Sequence, residues 1–66
     1  MKVLVNGDPL KIDKEVTISE LLNFLEISKV RVAVEVNREI VSKVKFESTL
    51  ISEGDSVEIV KAIGGG

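Results

Sequence analysis

Thr17-Ile18-Ser19-Glu20-Leu21-Leu22-Asn23-Phe24-Leu25 is the one convincing helix in this sequence. Thr17 and Glu20 have the spacing of a capping box, in which the Thr17 hydroxyl accepts from the Glu20 amide and the Glu20 side chain accepts from the Thr17 amide. Val16 and Leu21 stand at the spacing of a hydrophobic staple. Ile18, Leu21, Leu22 and Leu25 then recur as i, i+3, i+4 and i+7, a single apolar stripe that must lie on something.

The rest of the chain supplies strands for it to lie on. Met1 to Val5 is apolar and β-branched apart from Lys2, and it ends at Asn6-Gly7, the dipeptide best suited to a tight hairpin turn. A second strand is expected to return over Leu10 to Asp13. From Arg31 the period changes to two, with Val32, Val34 and Val36 alternating with Ala33, Glu35 and Asn37. A turn at Asn37-Arg38 leads to a short strand at Ile40-Val41. Lys43 to Ile51 reads as an irregular crossing segment anchored by Val44, Phe46, Leu50 and Ile51. After a turn at Glu53-Gly54-Asp55, Val57, Ile59 and Ile63 point one way and Val60 and Ala62 the other. The first and last strands carry apolar residues on both faces, which suits central strands.

A hairpin, one helix across the sheet and a last strand returning to the middle make an α+β fold of the β-grasp, ubiquitin-like kind. Its mixed sheet should hold four to five strands, with the first and last paired in parallel at the centre. The expected organisation is one domain over residues 1–63 and a flexible glycine tail over residues 64–66.

Composition narrows the function. A chain of 66 residues with no Cys and no His has no thiol nucleophile, no disulfide, no zinc ligand set and no imidazole base. Such a core is near the lower limit for independent folding and leaves no room for a catalytic cleft. The 11 acidic residues form no pair that stands out as acid and base, so an enzyme acting alone is not expected. A net charge of −2, with no basic run and no aromatic platform, argues against nucleic acid as partner. No stretch approaches the roughly 20 apolar residues of a membrane helix, and Met1 to Asn6 lacks the zones of a signal peptide. A cytoplasmic location, with no membrane partner, is therefore expected.

The end of the sequence is its chemical feature. The apolar run Val57 to Ile63 is followed only by Gly64, Gly65 and Gly66. Glycine reaches backbone conformations closed to other residues, so such a tail can thread a narrow channel. Extended, these residues reach roughly 10 Å, enough to carry a terminal carboxyl into another protein's active site. A frayed end is the plain alternative.

The whole chain resembles the thiamine-biosynthesis sulfur carrier family, small β-grasp proteins that end in a diglycine. The matching residues are Asn6-Gly7, Thr17 with Leu21 and Leu22, and the run Val32 to Val41. Leu50, Glu53-Gly54-Asp55, Glu58-Ile59-Val60 and Ile63 to Gly66 complete the match. The resemblance implies that the chain is a protein cosubstrate and not an enzyme. The Gly66 carboxylate would be activated with ATP by a ubiquitin-activating-type adenylyltransferase and converted to a thiocarboxylate with sulfur from a donor enzyme. Thiazole synthase would take that sulfur. No cofactor would be bound by the chain itself. Ile63, Gly64 and Gly65 would be the tail residues the partners recognise.

Other readings stay open at this point. The small subunit of molybdopterin synthase uses the same tail chemistry on the same fold. A protein-modifying tag would pass its activated Gly66 to a lysine, and a plain interaction module would have no use for the glycines. If the helix covers the face bearing Val3, Val5, Val34, Val57 and Ile59, then Leu4, Ala33, Val60 and Ala62 face the other way. That side is the expected partner-docking patch, since ubiquitin-like carriers generally use this sheet face, unless the Lys43 to Ile51 segment or a second copy covers it.

Overall fold

The computed structural model describes residues 1–61. Strand β1 (Lys2–Val5) turns directly into β2 (Asp8–Lys11), followed by β3 (Val16–Thr17), helix α1 (Ile18–Phe24), β4 (Val32–Val36), β5 (Glu39–Val41), β6 (Leu50–Ile51) and β7 (Ser56–Lys61). Short 3-10 turns at Lys29–Arg31 and Lys43–Lys45 carry the chain around the helix side. β2 begins earlier than its apolar pattern suggests. Asn6 and Gly7, at φ 50° and 87°, make a two-residue turn, so pairing resumes at once with Val5 opposite Asp8.

α1 starts as its sequence dictates. The Thr17 amide donates to Glu20 Oε1 at 2.8 Å and the Glu20 amide to Thr17 Oγ1 at 3.1 Å, closing the capping box. The two preceding helical amides are satisfied by the crossing segment, Ile18 N donating to Thr49 O and Ser19 N to Phe46 O, both at 3.0 Å. The helix stops because Glu26 enters the left-handed region at φ 58°. Glu26 N then donates to Asn23 O and Ile27 N to Leu22 O, the bonds of a Schellman cap.

The main sheet has five strands in the order β2-β1-β7-β4-β5, and β3 and β6 form a separate two-stranded ribbon. β1 and β7 run parallel at the centre, Leu4 beside Ser56 and Val5 beside Val57, while β4 joins β7 antiparallel. This is the expected β-grasp order. Ile18, Leu21 and Leu22 of the helix meet Val3, Val32, Val34 and Val57 of the sheet, with Phe46 and Ile51 closing the same core.

The Lys43 to Ile51 segment is more regular, and less anchored, than its composition suggests. It holds a 3-10 turn and β6, which pairs with β3 through Thr17 opposite Leu50 and Val16 opposite Ile51. Phe46 and Ile51 are buried, but Val44 is 89 % exposed and Leu50 54 % exposed, so neither of the latter is an anchor. The 3-10 turn sends Val44 outward, and alternation along β6 does the same to Leu50.

Candidate functional site

β7 is the strand that leads to the glycines, and its last described residue is Lys61. On the β4 side its pairing is continuous from Val36 opposite Val57 to Val32 opposite Lys61. On the β1 side the strand ladder ends at Val57, and Asn6 extends it. The Asn6 amide donates to Val57 O at 2.8 Å, Asn6 Oδ1 accepts from Ile59 N at 2.7 Å and Asn6 Nδ2 donates to Ile59 O at 3.2 Å. Its carboxamide thus offers β7 the donor and acceptor that a further strand residue would offer.

Asn37 braces the start of the same strand. Its Oδ1 accepts from Ser56 N at 3.0 Å, its Nδ2 donates to Asp55 Oδ1 at 3.0 Å, and its amide donates to Ser56 O at 2.7 Å. Each asparagine therefore does two jobs, turning a hairpin with positive φ and holding β7 from one side. From sequence, both are visible only as turn residues. The second role depends on which strand the fold brings beside them.

The face of the sheet opposite the helix carries the described residues of the patch expected from sequence. Leu4 is 39 % exposed, Val60 is 56 % exposed, and Ala33 is exposed directly opposite Val60. Leu4 and Val60 are not in one row. Leu4 lies beside Ser56, and Glu58 intervenes along β7 before Val60. Glu58 is paired with Glu35 of β4, and Glu35 with Ile40 of β5, which is 75 % exposed. That face thus contains Ile40, Glu35 and Glu58 as well as the apolar residues singled out from sequence. Period-two counting from Ala33 and Val60 would have found both glutamates. Ala62 and the tail residues Ile63, Gly64, Gly65 and Gly66 lie outside the described residues.

Among the described residues no group of three or more His, Cys, Asp or Glu side chains could hold a metal. No described helix is long and apolar enough to cross a membrane.

The sequence pattern of the ThiS family matches residues 3–66. The sulfur carrier protein ThiS of Bacillus subtilis is 35% identical over 63 residues, covering 94% of this chain and 96% of that protein. A thiazole synthase of Paramagnetospirillum magneticum is 39% identical over 66 residues, all of this chain but only 20% of that longer protein. The crystal structure of the thiamine biosynthesis protein (ThiS) from Geobacter metallireducens superposes with a TM-score of 0.88 at 35% identity, covering 100% of both chains.

Proposed function

The chain belongs to the ThiS family, and from that premise we propose that it is a sulfur carrier of thiamine biosynthesis whose terminal Gly66 carries the sulfur. The observation that carries this reading is the end-to-end likeness to the Bacillus subtilis sulfur carrier protein. The closing glycines of the sequence give that likeness its chemistry.

A carboxylate has no usable leaving group, so it must be activated before sulfur can replace its oxygen. The Gly66 carboxylate, ionised at neutral pH, attacks the α-phosphorus of ATP on an adenylyltransferase and expels pyrophosphate. Sulfide-level sulfur (HS−) from a donor enzyme adds to the carbonyl of the acyl adenylate and expels AMP, leaving a thiocarboxylate and releasing the proton. Thiazole synthase then takes the sulfur. That a protein named thiazole synthase contains a segment like this whole chain supports that partner, since such a polypeptide keeps carrier and enzyme together.

The catalytic groups belong to the partners, and this chain provides a docking face and a reach. The sheet face around Leu4, Ala33 and Val60 is the docking side, and Ile63, Gly64 and Gly65 are the residues that thread the active sites. Intact mass after incubation with ATP, a sulfur source and the host's activating enzyme tests the proposal. The expected result is exchange of one oxygen for one sulfur, localised to Gly66. An unchanged mass with a demonstrably active enzyme would overturn it.

A further inference from the structure

The outer sheet face carries a charge arrangement that no described residue compensates. Glu35 and Glu58 are direct cross-strand partners on β4 and β7. Side chains so placed start about 5 Å apart, and like charges in that relation destabilise a sheet. Among the described residues the one ion pair joins Lys29 to Glu47, remote from this face. Lys2 and Lys11 share the face as a pair of their own. The register of Leu4 with Ser56 puts Lys2 four strand positions from Glu58, roughly 13 Å away.

The surface around the two carboxylates is partly apolar. Ile40 stands opposite Glu35 and Val60 follows Glu58 two residues on along β7, while Leu4 lies one row back beside Ser56, and all three are exposed. A neutral polar residue at either glutamate position would keep the face hydrophilic and remove the repulsion. The arrangement makes sense when a cation arrives from outside, within a surface that also covers the apolar rim.

We infer that this face docks a protein that presents an arginine to Glu35 and Glu58 and covers Leu4, Ile40 and Val60 with apolar side chains. A guanidinium suits the position because its planar fork can donate to both carboxylates at once. It is also hydrated weakly enough to be buried beside aliphatic groups. A desolvated arginine bordered by apolar contacts is among the residues that contribute most to binding.

This rests on the docking reading above, and the two can fail separately. The test measures binding of the Glu35→Gln/Glu58→Gln double variant to thiazole synthase and to the activating enzyme, with its melting temperature. Binding to at least one enzyme should weaken about tenfold or more and lose most of its salt dependence. The melting temperature should rise by about 2–5 °C as the repulsion is removed. Weaker binding by a better-folded protein is the signature of charges kept for a partner. Parent-like binding to both enzymes overturns the inference. If Leu4→Glu and Val60→Glu still weaken binding in that case, the docking reading stands without it. If they too bind like the parent, both readings fall. Sedimentation of the parent supplies the remaining arm, and a dimer that the double variant abolishes would make the occupant a second copy, through its Lys2 and Lys11, and overturn the inference.

Discussion

Glu26 and Ser19 each break a local rule, and each gives a prediction. Glu26 holds the left-handed position of the helix cap at φ 58°, a conformation in which a side chain costs about 1–2 kcal/mol. Glycine avoids that strain but loses more freedom on folding, about 0.5–1 kcal/mol. Glu26→Gly should therefore stabilise the domain by roughly 0.5–1 kcal/mol, read from urea unfolding, because the cap bonds are made by the backbone. A lower midpoint would mean that the glutamate side chain contributes something the cap geometry does not reveal. Ser19 buries its hydroxyl in the second position of α1 with no partner among the described residues. Ser19→Ala removes an unsatisfied donor and inserts a better helix former, and should stabilise by about 1 kcal/mol. Asn6 and Asn37 are the opposite case, since their side chains complete the hydrogen bonding of β7 while their backbones turn hairpins.

The helix and the strands around it were legible in the sequence because their signals are local: a capping box, a 3.6 period, a 2.0 period and an Asn-Gly turn. The Lys43 to Ile51 segment was not, because its order comes from what it touches. Val44 and Phe46 look equally apolar in one dimension, yet a 3-10 turn exposes the first and buries the second. Strand β6 has two residues and exists only because β3 lies beside it. On the outer face, the exposed residues Leu4, Ala33 and Val60 followed from alternation. Glu35 opposite Glu58 did not, since that needs the register of β4 on β7. The crossing segment also caps the helix through Phe46 O and Thr49 O, so losing its anchor should loosen α1 as well as the core. Phe46→Ala should cost about 3–5 kcal/mol, most of the stability of a domain this small. The variant should then lose helical circular dichroism and near-native packing together at 25 °C, whereas Phe46→Leu should stay folded. Helical signal that survives while the core melts would show that α1 does not depend on the segment.

At the scale of the molecule, the described core lies before the end that is proposed to react. Among the described residues, every member of the buried core, from Val3 to Val57, precedes the last described pairing, that of Val32 with Lys61. Removing Gly66 takes away none of those groups, so the melting temperature should not change. Its chemistry should change completely, because the carboxyl moves back by one residue, roughly 3.3–3.6 Å. Reacting groups tolerate misplacement of only about 1 Å before rates fall steeply. The truncated chain should therefore bind the activating enzyme through its sheet face and yet form no thiocarboxylate at a measurable rate. Alanine scanning of the glycines grades the same idea, since an added Cβ at Gly65 should slow adenylation strongly and one at Gly64 less. Binding and mass must be measured on the same preparation, because a carrier that docks but does not react is what a separate docking face and reactive end require. Normal thiocarboxylate formation on the chain lacking Gly66, or parent-like rates for both alanine variants, would show that the enzyme does not read the tail by position.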